Sequence, residues 1–148
     1  MSIVALTSCF KDKVEPRTFE EQLEIDIEKI ETYLSNNDLT ATKLESGVFY
    51  NITLEGAGES PTVNGEITVR YQGRLLSGKI FDEVESTNGL TINLSQLIDA
   101  WQFTVPLMKV GGTMTIYSPS GYGYGNVRIS TVPPNSVLIF DIELISFE

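Results

Sequence analysis

The sequence predicts an α+β fold: a mainly antiparallel sheet with one helix on its concave face, preceded by an acidic amphipathic helix. Three observations lead there. From Gly47 onward most segments alternate apolar and polar residues, as half-buried strands do. The connections between those segments are too short for repeated parallel crossovers. One stretch within the region switches to helical spacing.

The first element is the acidic helix, placed at residues 18–39. Phe19, Leu23, Ile27, Ile30 and Leu34 recur every third or fourth residue and so share one face. Thr18 can cap the N-terminus, and Glu20 and Glu21 complement the dipole in the first turn. Asn36-Asn37-Asp38 ends the run. The stripe must be covered, and three covers fit: the chain's own domain, a second copy in a homodimer, or a client chain in a groove.

Strands follow. Gly47 to Leu54 alternates, and residues 55–64 form a Gly/Pro loop. Ile67 to Leu76 is a long strand, with Gly73 as a bulge or bend. Leu90 to Leu94 alternates again. Leu97, Trp101, Thr104 and Met108 then fall at helical spacing, which predicts a helix over Gln96 to Met108 with Ser95 as its N-cap. Gly111-Gly112 stops it. Thr113 to Ser118 and Val137 to Phe147 are two more strands, the last with Leu138, Phe140, Ile142 and Leu144 on one face. Residues 47–148 therefore read as one domain.

Composition narrows the chemistry. The 148 residues include 10 Lys+Arg, 20 Asp+Glu, one Cys and no His. Without histidine the usual Ser-His-Asp and Cys-His arrangements are absent, as is the commonest transition-metal ligand. One cysteine forms no internal disulfide. A net charge of −10 argues against binding nucleic acid, whose phosphates demand clustered cations. The charge is uneven: residues 16–39 carry seven acids against two bases.

Two segments could be mistaken for sites. Gly121-Tyr122-Gly123-Tyr124-Gly125 lacks the Lys-Ser/Thr of a phosphate loop and precedes no helix, so it reads as a turn presenting tyrosines. Asp82-Glu83-Val84-Glu85 has no calcium-loop spacing and reads as a surface carboxylate cluster.

Residues 1–9 end in Leu6-Thr7-Ser8-Cys9, which resembles the bacterial lipobox. There Cys9 would become the lipid acceptor and hold the protein on a membrane of the cell envelope. Residues 10–17 then read as a polar tether. No Lys or Arg precedes Cys9, and the apolar run is only Ile3 to Leu6, short of a full secretory leader. A truncated leader and an incidental thiol are the two readings.

The domain's motifs, in order, are Val69-Arg-Tyr-Gln-Gly73, Gly78-Lys-Ile-Phe-Asp82, Leu97-Ile-Asp-Ala-Trp101, Val110-Gly111, Tyr117-Ser-Pro119, Tyr122-Gly-Tyr-Gly125, Val132-Pro-Pro134 and Leu138-Ile-Phe-Asp-Ile-Glu-Leu144. Each is weak alone. Their order over about residues 47–148 resembles the FKBP-type peptidyl-prolyl cis-trans isomerases, a macrolide-binding family. The acidic helix behind a lipobox resembles short lipoprotein members from Gram-negative bacteria. The resemblance implies an FKBP-like twisted sheet wrapped around a short helix. It implies proline-containing polypeptides as clients, macrolides as inhibitors, and no metal or cofactor.

It also implies roles residue by residue. Trp101 would be the platform beneath the proline ring. Tyr71, Phe81 and Phe140 would be aromatic walls, and Asp82 would be hydrogen-bonded at the pocket edge. Leu97 and Ile98 would line one side, with the Ile98 N–H binding a substrate carbonyl. Tyr124 would donate its hydroxyl to another. Val132 would stand on an overhanging loop. Leu90 replaces the family's usual aromatic, Ala100 its usual glycine, and Thr131 an apolar residue on the shortened loop 126–131. These departures open one wall and bear on macrolide affinity and substrate preference. A non-catalytic holder of proline-containing segments is the alternative reading.

Overall fold

The computed structural model describes residues 16–148, so Cys9 and most of the tether lie outside the described residues. Helix α1 (Phe19–Asn36) leads into strands β1 (Thr42–Lys43), β2 (Phe49–Leu54), β3 (Glu66–Leu75), β4 (Ile80–Val84) and β5 (Leu90–Asn93). Helix α2 (Asp99–Thr104), β6 (Thr113–Ser118) and β7 (Leu138–Phe147) follow. All strand pairs are antiparallel. The sheet order is β1-β2-β6-β7-β3-β4, with β5 also paired to β3.

The outer edge of β3 is shared. Glu66 to Val69 pair with β5, and Tyr71 to Arg74 pair with β4. The register between β3 and β4 shifts at Gly73/Arg74, where the sequence predicted a bulge. β4 itself was not predicted as a strand. Asp82 and Glu83 sit among three apolar residues, and Ile80, Asp82 and Glu83 are exposed, as at an edge, so it shows no clean alternation.

Both faces of the sheet are covered. On the front face Ile67, Val69, Ile116, Phe140, Ile142 and Leu144 pack against Ala100, Trp101 and Val105 around α2. On the back face Phe49, Tyr117 and Ile139 pack against Ile30 and Leu34 of α1. The helical stripe therefore meets the chain's own sheet. Among the covers considered for it, the intramolecular one is present. Thr18 caps α1 as predicted, accepting from the Glu21 N–H, while the Glu21 carboxylate accepts from the Thr18 N–H.

The helix predicted over Gln96 to Met108 is broken into pieces. A 3-10 turn spans Leu94–Gln96, α2 covers only Asp99–Thr104, and a second 3-10 turn spans Val105–Leu107. Ser95 is not the N-cap of α2. It is itself capped, its N–H donating to the Asn93 side chain at 3.0 Å, and Ile98 occupies the cap position. Leu97 and Ile98 are extended (ψ 171° and 152°), and Pro106 has no N–H to continue the helical ladder.

Ile30 is fully buried between α1 and the sheet. Ile30→Ala is expected to cost about 2–5 kcal/mol, read as a lower midpoint in urea unfolding at unchanged m-value.

Candidate functional site

A cavity of about 220 Å³ opens on the front face, where the edge of β3 passes from β5 to β4. Strand β3 contributes Val69 and Tyr71, two residues apart and so on one face. Asp82 comes from β4, Leu90 and Ile92 from β5, and Phe140 from β7. Gln96, Leu97, Ile98 and Trp101 come from the broken helical stretch, and Tyr124 from the turn after β6.

Trp101 is 4% exposed and belongs to the front core as well as the cavity wall. Tyr71 and Phe140 meet its ring edge to face, with centroids 5.1 and 5.4 Å away and interplanar angles of 89° and 84°. Phe81 continues the set, 5.7 Å from Phe140 and 5.9 Å from Tyr124. Edge-to-face packing puts each ring's positive rim on its neighbour's negative face, which orients all five rings. Gly73 makes room for two of them. A Cβ there would lie 2.8 Å from Phe81 Cζ and 2.9 Å from Phe140 Cε1.

The polar groups are few. The Tyr71 hydroxyl donates to Asp82 Oδ2 at 2.7 Å. Burial pushes the Tyr71 hydroxyl well above its ordinary ionisation range, and the hydrogen bond to Asp82 and the nearby negative charge push it further. Burial also raises the Tyr124 hydroxyl, with the Asp82 charge adding to the effect. Gln102 braces the adjoining turn by donating to the Leu97 carbonyl at 2.7 Å. The bonds that close this turn use the Leu97, Trp101 and Gln102 N–H groups, and leave out that of Ile98. The indole N–H of Trp101 is buried with no partner among the described residues.

The cavity thus gathers Tyr71, Asp82, Leu90, Leu97, Ile98, Trp101, Tyr124 and Phe140. Phe81 stands behind the wall, packed on Phe140 and Tyr124. Val132 departs from its expected place. It is 2% exposed in the front core and does not line the cavity. A tight turn, with Ile129 and Val132 bonded to each other's backbone and Ser130 at φ 51°, directs Val132 inward and leaves Val127 and Ile129 exposed.

Val69, Ile92 and Gln96 line the cavity without having been singled out. The first two carried a signal, since Val69 lies two residues before Tyr71 and Ile92 two after Leu90. Gln96 carried none.

The family model for FKBP-type peptidyl-prolyl cis-trans isomerases matches residues 58–145. A probable isomerase of this type, FkpA of Neisseria meningitidis, is 38% identical over 80% of the chain and 45% of its own length. The isomerase Mip of Coxiella burnetii is 38% identical over 70% of the chain and 46% of its own. The chain therefore spans less than half the length of these curated relatives. A crystal structure of an isomerase from Pseudomonas syringae superposes with a TM-score of 0.72 at 28% identity, covering 91% of this chain and 99% of that one. FkpA from Escherichia coli superposes with a TM-score of 0.74 at 27% identity, covering 87% of this chain and 62% of that one. The chain belongs to the FKBP-type peptidyl-prolyl cis-trans isomerase family.

Proposed function

We propose that the cavity binds X-Pro segments of polypeptides and accelerates their cis-trans isomerisation. The observation that carries this is the orthogonal aromatic set around Trp101, with Tyr71, Tyr124, Asp82 and Gln96 as the polar side chains lining the same cavity.

The reaction suits such a site. Rotation about a peptide bond crosses ~18–20 kcal/mol because twisting removes amide resonance. The planar form carries partial charges on oxygen and nitrogen, which water stabilises. The twisted form carries less. A dry aromatic cavity withdraws that water and so favours the twisted form. Hydrogen bonds that fit only the twisted conformer add differential binding. In this reading Trp101 supports the proline ring, the Ile98 N–H and Tyr124 hydroxyl donate to flanking carbonyls, and Asp82 holds Tyr71 in place. No nucleophile is required, which suits a chain without histidine. Leu90 leaves its wall aliphatic and part-exposed, so macrolides are expected to bind more weakly than an aromatic there would allow.

The clients would be proline-containing chains folding in the cell envelope, with the protein held there by lipid on Cys9. No helix among the described residues is long and apolar enough to cross a membrane. What supports the anchor is the motif Leu6-Thr7-Ser8-Cys9 alone.

A protease-free isomerisation assay on peptides varying the residue before proline tests the activity. Trp101→Leu is expected to lower kcat/KM at least about tenfold. Tyr124→Phe removes one hydrogen bond and is expected to cost about 2- to 10-fold. Binding of the peptides without acceleration would leave a holder of proline segments instead.

The pH profile offers a second check. Asp82, Tyr71 and Tyr124 are the titratable groups lining the cavity, and both tyrosines ionise above the ordinary 10.0. The two tyrosines should leave the rate flat from about pH 7 to about pH 10. A raised tyrosine pKa stabilises the fold fully below 10.0, and that contribution fades as pH climbs from there through the folded value. A rate midpoint inside the flat window would contradict the assignment.

Mass spectrometry of membrane fractions checks the anchor, with an acylated Cys9 at the mature N-terminus as the expected result. A free thiol on a soluble chain would exclude it.

A further inference from the structure

Asp26 is fully buried, yet it sits on the face of α1 that docks on the domain. It falls three residues after Leu23 and four before Ile30, where an apolar side chain would complete the stripe. A buried carboxylate is costly unless its oxygens are hydrogen-bonded. Here three donors supply the bonds. Oδ2 accepts the Ser120 N–H at 2.8 Å and also the Ser120 hydroxyl. Oδ1 accepts from Gln22 Nε2 at 2.9 Å.

What this carboxylate grips is the turn that carries Tyr124. The Ser120 carbonyl accepts from the Gly123 and Gly125 N–H groups at 3.0 and 2.7 Å, so it organises both sides of Tyr124. Phe19 of α1 holds the same turn from outside. Its ring meets Tyr122 edge to face at 5.4 Å and fills the bare side of Gly121, where a Cβ would lie 2.4 Å from Phe19 Cε2. Tyr122 in turn meets Phe103 of α2 at 5.5 Å. The helix outside the family-matched residues is thus joined to two elements of the cavity.

We propose that Asp26 is a positioning residue for isomerisation: with Phe19 it latches the Ser120–Gly125 turn to α1 and so fixes where the Tyr124 hydroxyl stands. This rests on the isomerase reading of the cavity. Asp26 itself does not line the cavity; it acts through Ser120.

The test is a double-mutant cycle against Tyr124→Phe. Asp26→Leu suits the stripe but accepts nothing from Ser120. It is expected to lower kcat about 3- to 10-fold with little change in KM. In the Tyr124→Phe background the same change should cost less than about twofold. Asp26→Asn keeps an acceptor for Ser120 and should restore wild-type kcat within about twofold. Amide exchange should quicken at Ser120, Gly123 and Gly125 in Asp26→Leu, and stay unchanged in the β6–β7 ladder. Equal losses in both Tyr124 backgrounds, or unaltered exchange in the turn, would overturn the latch. Should Asp26→Leu fail to fold, Phe19→Ala carries the same cycle. A wild-type chain that accelerates nothing would instead remove the isomerase reading, and the exchange measurement would still report whether α1 holds the turn.

Discussion

Strand β7 lies between β6 and β3 and is covered on both sides. Leu138, Phe140, Ile142 and Leu144 face the front core, and Ile139 faces α1. Because side chains alternate along a strand, a slip of one residue would exchange these two sets. The register with β3 is held along nearly its whole length, with Phe140 opposite Gly73 and Ile142 opposite Tyr71. That pairing decides where the cavity forms. The missing side chain at Gly73 admits the rings of Phe140 and Phe81, and Tyr71 then leans on Trp101. The front core and the cavity wall are one packing arrangement, so the contacts that stabilise the domain also shape the site.

This explains how a site can be shaped without the usual catalytic side chains. Five rings from separate elements hold one another at near right angles. The tyrosine hydroxyls are kept protonated by burial beside a carboxylate. Such a rim donates hydrogen bonds but offers little acid–base chemistry near neutral pH. Bond rotation asks for no more than that, since no covalent bond is made or broken.

Much of the architecture was legible because it rests on periodicity. The α1 stripe, its Thr18 cap and the alternation in β3 and β7 are local patterns with one physical reading. Most of the cavity's residues were legible through ordered motifs. The misses have two causes. Asp82 and Asp26 serve partners on other elements. The helix around Trp101 and the turn at Val132 are set by nearby hydrogen bonds that periodicity does not report. β4 carries charges because it is an edge, and Asp82 among them serves Tyr71. The helix around Trp101 is shorter than its spacing suggests because Asn93 and Pro106 interrupt it. Val132 turns inward because of a bond across a four-residue turn. Asp26 falls in register between Leu23 and Ile30, and its burial rests on Ser120, far along the chain. Its register was the signal.

The shared edge of β3 has a consequence under the proposed function. A protein that receives extended polypeptide must not let it zip onto its own sheet. Here β3 closes its free side with two short strands, β4 and β5, and the far edge is the two-residue β1. Lys43 of β1 is tied to Glu31 and lies over the Phe49 ring, while Asp82 and Glu83 stud the opposite rim. Short, charged borders make poor templates for strand addition. Under the proposed function, a client would then meet the cavity rather than a sheet edge, and a proline, which cannot donate to a ladder, would be at no disadvantage there.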